Sequence, residues 1–122
     1  MRMKDNIVKD KSFAFALRVV GLAKYLRDEK KEFVLSKQVL RSGTAIGALV
    51  REAEHAESKP DFTHKMNIAL KEANETLYWL ELLHQAEYIA EQSFTSIRTD
   101  SEELVKLLVS IVKTSRKDKH AQ

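Results

Sequence analysis

The 122-residue chain contains no cysteine. Disulfides and thiolate-held metals are therefore excluded, and cysteine-free composition suits the cytoplasm. One proline and three glycines are too few turn formers for the many hairpins of an all-β domain. No apolar run approaches the ~20 residues that a membrane-spanning helix needs, so no membrane role is expected. The opening MRMKDNIVKDK is charged and has no apolar core, so no secretory signal is expected there. Aromatics are only 7% of the residues, few for stacking on bases, and most are expected to be buried. Neither sign of charge dominates. The 21 Lys+Arg exceed the 18 Asp+Glu by 3, with a pI near 9.1, which permits nucleic-acid binding without requiring it.

What the chain does contain is helical periodicity. Hydrophobic residues make up 43% and charged residues 32%, and the length suits one domain with one core. A first helix is expected over 6–28. Phe15, Val19, Leu22 and Leu26 form one apolar stripe. Phe13, Leu17 and Val20 form another, and Arg18 is the only charge from Phe13 to Ala23. A helix apolar around most of its circumference is buried on more than one side, so its second side is expected to face another subunit. The charged segment after it ends in Phe33, Val34 and Leu35, expected to cover the end of the core, and Ser36 is the expected N-cap of the next helix.

The second helix, over 36–57, is the expected packing hub. Gly43 and Gly47 lie four apart on one face, among Ser42, Thr44, Ala45, Ala48 and Ala53. Each interior glycine costs a helix roughly 1 kcal/mol relative to alanine, a loss that close packing on a flat face offsets. Ser58, Pro60 and Asp61 then form a helix-start signal. The third helix, over 59–86, has the seam Phe62, Met66, Ala69, Ala73, Thr76, Leu80 and Leu83. Its second half adds Leu77, Tyr78, Trp79 and Leu82 with only Glu81 charged among them, which marks a second expected subunit contact. A fourth helix, over 92–116, carries Phe94, Ile97, Ser101, Leu104, Leu108 and Ile111, followed by a polar tail expected to fray. Four helices with short links predict an all-α, up-down-up-down four-helix bundle as a single domain.

The runs QVLRSGTAIGALVREAEHAESKPDF and HKMNIALKEANETLYWLELL resemble a bacterial four-helix bundle family first known from intervening sequences in 23S ribosomal RNA genes. Arg41, Ser42, Gly43, Thr44, Gly47, Glu52, Lys65, Glu72, Glu75 and Trp79 carry the likeness, and looser similarity extends it over nearly the whole chain. The resemblance implies a cytoplasmic bundle that assembles as a ring-like homopentamer, from a family with no known enzymatic activity. It is also similar to nucleic-acid-binding accessory proteins of diversity-generating retroelements. Many members have asparagine where this chain has Leu49, and some have aspartate where it has Asn74. Leu49 also fits the apolar seam of the second helix.

Catalytic and metal constellations are weak. Glu52 with His55 and Glu81 with His84 form two Glu-x-x-His pairs, the pattern of di-iron bundles. Helices two and three are antiparallel and turn near Lys59, so the pairs fall on the order of 30 Å apart and cannot share a cluster. Glu72 and Glu75 have no accompanying nucleophile or phosphate loop. No enzyme, cofactor, metal or small-molecule substrate is expected. Facing residues on the two helices should have numbers summing to about 117, which pairs Arg41 with Glu75 and Lys65 with Glu52 as structural, register-fixing ion pairs. Basic residues gather at the end of the bundle shared by the start of helix one, the 2–3 turn and the end of helix four. Lys9, Lys11, Lys113, Arg116, Lys117 and Lys119 are the candidates there for contacting the phosphates of RNA or DNA. Low-specificity nucleic-acid binding by a homo-oligomer is the leading functional expectation, and a protein-interaction scaffold is the alternative.

Overall fold

The computed structural model describes the backbone of residues 3–121 and the side chains of residues 6–117. Four helices follow one another: α1 (Met3–Asp28), α2 (Leu35–Ala53), α3 (Lys59–Gln85) and α4 (Glu91–Ala121). Among the described residues there is no strand. Each helix packs on the next and α4 also packs on α1, whereas among the described residues the backbones of the diagonal pairs stay further apart. That is an up-down-up-down bundle, with α3 about 40 Å long at 1.5 Å per residue.

The core forms from the predicted stripes. Phe15, Val19 and Leu26 of α1 meet Val39, Ile46 and Val50 of α2, Met66, Leu80 and Leu83 of α3, and Leu104, Leu108 and Ile111 of α4. Leu49 packs on this cluster from its edge. Small residues let α2 come close to α1. A Cβ on Gly43 would lie 2.8 Å from both Val19 methyls, whereas one on Gly47 would sit at an ordinary 3.4 Å from Ser12. Gly43 is thus demanded by packing and Gly47 is only compatible with it. Ser42, Thr76 and Ser101 are fully buried, and the Thr76 and Ser42 hydroxyls are hydrogen-bonded at 2.9 Å across α2 and α3.

The junctions depart from the sequence reading in four places. First, Ser36 is not the N-cap of α2: it is buried inside the helix and its Oγ has no hydrogen-bond partner. Glu32 does that work, its carboxylate accepting the Ser36 N–H at 2.8 Å and the Val34 N–H at 3.3 Å. Second, Phe33 and Val34 do not cover the core. The chain reverses through Lys31 at φ 53°, which leaves Phe33 and Val34 outside, with only Leu35 on the core cluster. Ile89, from the α3–α4 turn, is buried there instead.

Third, α2 ends at Ala53 rather than 57. The N–H groups of Glu54, His55 and Ala56 bond carbonyls three residues back, a tightened exit that frees 54–58 for the turn. Ser58 then caps α3 as expected, accepting from the Asp61 N–H at 3.2 Å, while Asp61 accepts the Glu57 N–H at 3.1 Å. Fourth, α4 continues past 116 to Ala121.

Candidate nucleic-acid interface

The six cations expected to contact phosphates do not form one surface. Lys9 is turned to α2, where its Nζ lies 3.0 Å from Glu54. Lys11 is turned to α4, 2.7 Å from Glu103. The hydrogen bond and charge of Glu103 raise the Lys11 pKa above its ordinary value. Each of these lysines meets a carboxylate outside its own helix, which partly neutralises its charge, although Lys11 and Glu103 both stay exposed. Lys119 lies outside the described side chains.

Lys113, Arg116 and Lys117 are exposed on α4 and, among the described residues, none of the three is in an ion pair or hydrogen bond. Lys106, which the sequence reading passed over, joins them. It precedes Lys113 by seven residues and Lys117 by eleven, so the three share one face of the helix. The run 104–117 contains no acidic residue. The nearest preceding acids are already engaged, Glu103 with Lys11 and Glu102 with Arg98 at 3.5 Å. The periodicity of Lys106 was the available signal, obscured by reading the cations as an end of the bundle rather than a side of one helix.

Of the signature charges on α2 and α3, Arg41, Glu72 and Glu75 are paired across the two helices. Arg41 reaches both Glu75 and Glu72, and the Trp79 indole N–H donates to Glu75 at 2.9 Å. This network fastens the exposed edge of the α2–α3 seam in the register that also joins Ser42 to Thr76. Lys65 does not pair with Glu52, contrary to expectation. It bonds Asp61 at 2.8 Å, one turn back on its own helix. An i,i+4 partner needs no alignment between helices, and α2 ends one residue after Glu52. The Lys65 hydrogen bond lowers the Asp61 pKa, and Asp61, with a smaller contribution from Glu52, raises that of Lys65.

Among the described residues, apolar side chains remain uncovered on both α1 and α3. On α1, Phe13 is 51% and Leu17 60% exposed, with Val20 beside them, directly opposite the face that enters the core. The Arg51 guanidinium lies 5.2 Å from the centre of the Phe13 ring. On α3, Tyr78 is 58% exposed and meets Trp79 edge-on at 5.0 Å. With Tyr25 and Phe33, four of the nine aromatics are exposed, and only Phe15 and Phe94 are buried, fewer than expected. A groove of about 330 Å³ opens between α1 and α4, with Leu22, Ile89 and Ile97 among its walls. Arg18 stands at its side, bonded to Asp100 at 2.7 Å and Ser96 at 3.1 Å.

Among the described residues no cluster of three or more His, Asp or Glu could hold a metal. His55 lies in the turn after α2, and His84 is at the far end of α3, stacked on Phe94 with ring centroids 4.2 Å apart. No described helix is long and apolar enough to cross a membrane.

Comparison with known proteins agrees with this architecture. No curated protein matches the chain. Among solved structures it is similar to a Bacteroides thetaiotaomicron protein of unknown function from the S23 ribosomal protein family. The two are 64% identical, with a TM-score of 0.90, over 91% of this chain and 99% of that one. The family model for the 23S rRNA-intervening sequence protein matches residues 4–110. The chain belongs to the 23S rRNA-intervening sequence protein family.

Proposed function

We propose that this protein is a non-enzymatic, homo-oligomeric helical bundle of the cytoplasm that binds nucleic acid with low sequence specificity. The observation that carries the reading is the outer side of α4, where Lys106, Lys113 and Lys117 share a face with Arg116 at its flank, all exposed and, among the described residues, unpaired along a run without acids. Charges so arranged attract phosphates and read no bases. The family's link to intervening sequences of ribosomal RNA makes RNA the first ligand to test.

Assembly belongs to the same proposal. The uncovered stripe on α1 and the Tyr78 face on α3 are different surfaces on different helices. A contact between two unlike surfaces is heterologous and closes into a ring when its rotation allows. A homopentamer formed this way repeats the α4 face five times and strengthens weak phosphate contacts by avidity.

A titration of labelled RNA with the purified protein at low and moderate salt tests the proposal. Four phosphate contacts per protomer give a slope of log affinity on log salt of about −3 to −4, so a fourfold rise in salt weakens binding about 10²-fold. Changing Lys106, Lys113, Arg116 and Lys117 to glutamine should abolish most of that slope. A protein-interaction scaffold, favoured by the exposed aromatics, would be indifferent to both. Absence of binding at low salt would refute the nucleic-acid reading.

A further inference from the structure

We infer that the α4 face is built for double-helical nucleic acid, held through its two phosphate backbones, and not for an unstructured strand. The inference rests on the nucleic-acid reading above and names the ligand class of that site.

The first support is the rigidity and layout of the charges. Lys106 and Lys117 are eleven residues apart, about 16 Å along the helix axis. The opposite side of the same stretch is fixed in the core by Leu104, Leu108 and Ile111, each about 1% exposed or less. The helix that carries the cations is therefore held against the bundle along this stretch. A duplex of that length carries about ten phosphate charges. An unstructured strand has lower charge density and would be straightened at an entropic cost.

The second support is the chemistry absent around the cations. Single-strand binders stack bases on aromatic side chains set into the basic groove. The only aromatic of α4, Phe94, is buried and stacked on His84. The exposed aromatics lie elsewhere. Phe13 leans toward Arg51 of α2, and Tyr25 and Phe33 stand at the opposite end of the bundle. Tyr78 is on α3, and the pairing of Thr63 with Ser115 and of His84 with Phe94 sets it level with residue 100. That is about 9 Å short of Lys106 and about 25 Å short of Lys117 along the axis. The run 104–117 also contains no Asn, Gln, Asp or Glu, so the side chains that pair with adenine or cytosine edges are missing. What remains on this face is lysine and arginine, which suit a regular phosphate backbone.

The test uses the full chain and fluorescence anisotropy with four probes: an RNA duplex, a DNA duplex of the same sequence, a second RNA duplex of scrambled sequence, and oligo-uridine of equal length. Titrations run at two salt concentrations, with oligomer mass recorded in each buffer. Either duplex should bind about tenfold or more tighter than oligo-uridine, and the two RNA sequences should agree within about threefold. The ratio of RNA to DNA duplex affinity identifies which double helix is the better source of the paired backbones. K106Q/K113Q should weaken every duplex equally. The salt slope of the unmodified protein reads the same contacts without depending on that variant's folding. Oligo-uridine binding as tightly as the duplexes, or one RNA sequence preferred by more than about tenfold, overturns the duplex inference while leaving nucleic-acid binding intact. No binding by any probe overturns both.

Discussion

Gly43→Ala puts the spacing of α1 and α2 to a direct test. Alanine in the middle of α2 gains about 1 kcal/mol of helix propensity. Against that, the new methyl would sit 2.8 Å from Cγ1 and Cγ2 of Val19. Val19 is fully buried and, being β-branched in a helix, has essentially one χ1 rotamer, so its methyls cannot turn away. The helices must separate, and overpacking of this kind costs typically 1–3 kcal/mol. The net expectation is a loss of about 1 kcal/mol. Gly47→Ala has the same propensity gain, but its methyl meets Ser12 at 3.4 Å, so it should stabilise by up to about 1 kcal/mol. The two substitutions should therefore differ by about 2 kcal/mol in opposite directions, read by urea unfolding at one fixed protein concentration because association shifts apparent stability. Adding Val19→Ala should make Gly43→Ala tolerable, giving a favourable coupling in a double-mutant cycle. If both glycine variants move stability in the same direction, contact between Gly43 and Val19 does not set the helix spacing.

Other predictions address the caps, the charges and the uncovered faces. Glu32→Ala should cost about 1 kcal/mol in thermal or urea unfolding because it removes the acceptor for two N–H groups at the start of α2. Ser36→Ala should cost nothing, since its hydroxyl is buried and unpaired, and the reverse ranking would restore Ser36 as the cap. Asp61 has a lowered pKa in the folded state, caused first by Lys65. Its contribution to stability is therefore present above the ordinary carboxylate value of about 4 and is lost as pH falls through the depressed value. Asp61→Asn should flatten that part of the acid limb of a stability–pH curve, and an unchanged limb would contradict the pairing. Lys65, raised by Asp61, contributes in the other direction: stability present below about 10.4 is lost as pH rises past its folded value. Phe13→Ser with Leu17→Ser should lower the oligomer mass in light scattering without unfolding the bundle, because both side chains are already exposed in the protomer. An unchanged mass across a dilution series would remove α1 from the subunit contact.

The helices and their buried faces were legible in the chain because a 3.6-residue period is written locally, residue by residue. Phe15, Val19, Leu80 and Leu108 all lie where that period puts them, and the Ser58–Pro60–Asp61 start signal acts as its chemistry requires. The antiparallel register was legible too, since a short turn fixes the sum of facing positions and Arg41 reaches Glu75. Family membership could be read from the signature on α2 and α3. The partner of each long charged side chain could not. Lys9 and Lys11 looked like free cations in a linear reading, yet each has a carboxylate from another part of the bundle within 3.0 Å. Lys65 preferred a carboxylate of its own helix. Such choices depend on which helix stands beside which and on side-chain reach, which periodicity does not encode. The same holds at the junctions, where a left-handed residue at Lys31 decided that Phe33 faces water and Glu32 caps α2. The sequence by itself thus determined which faces are buried. Only the tertiary structure decided which charges remain unspent on the surface, because that depends on distances between helices and not on order along the chain.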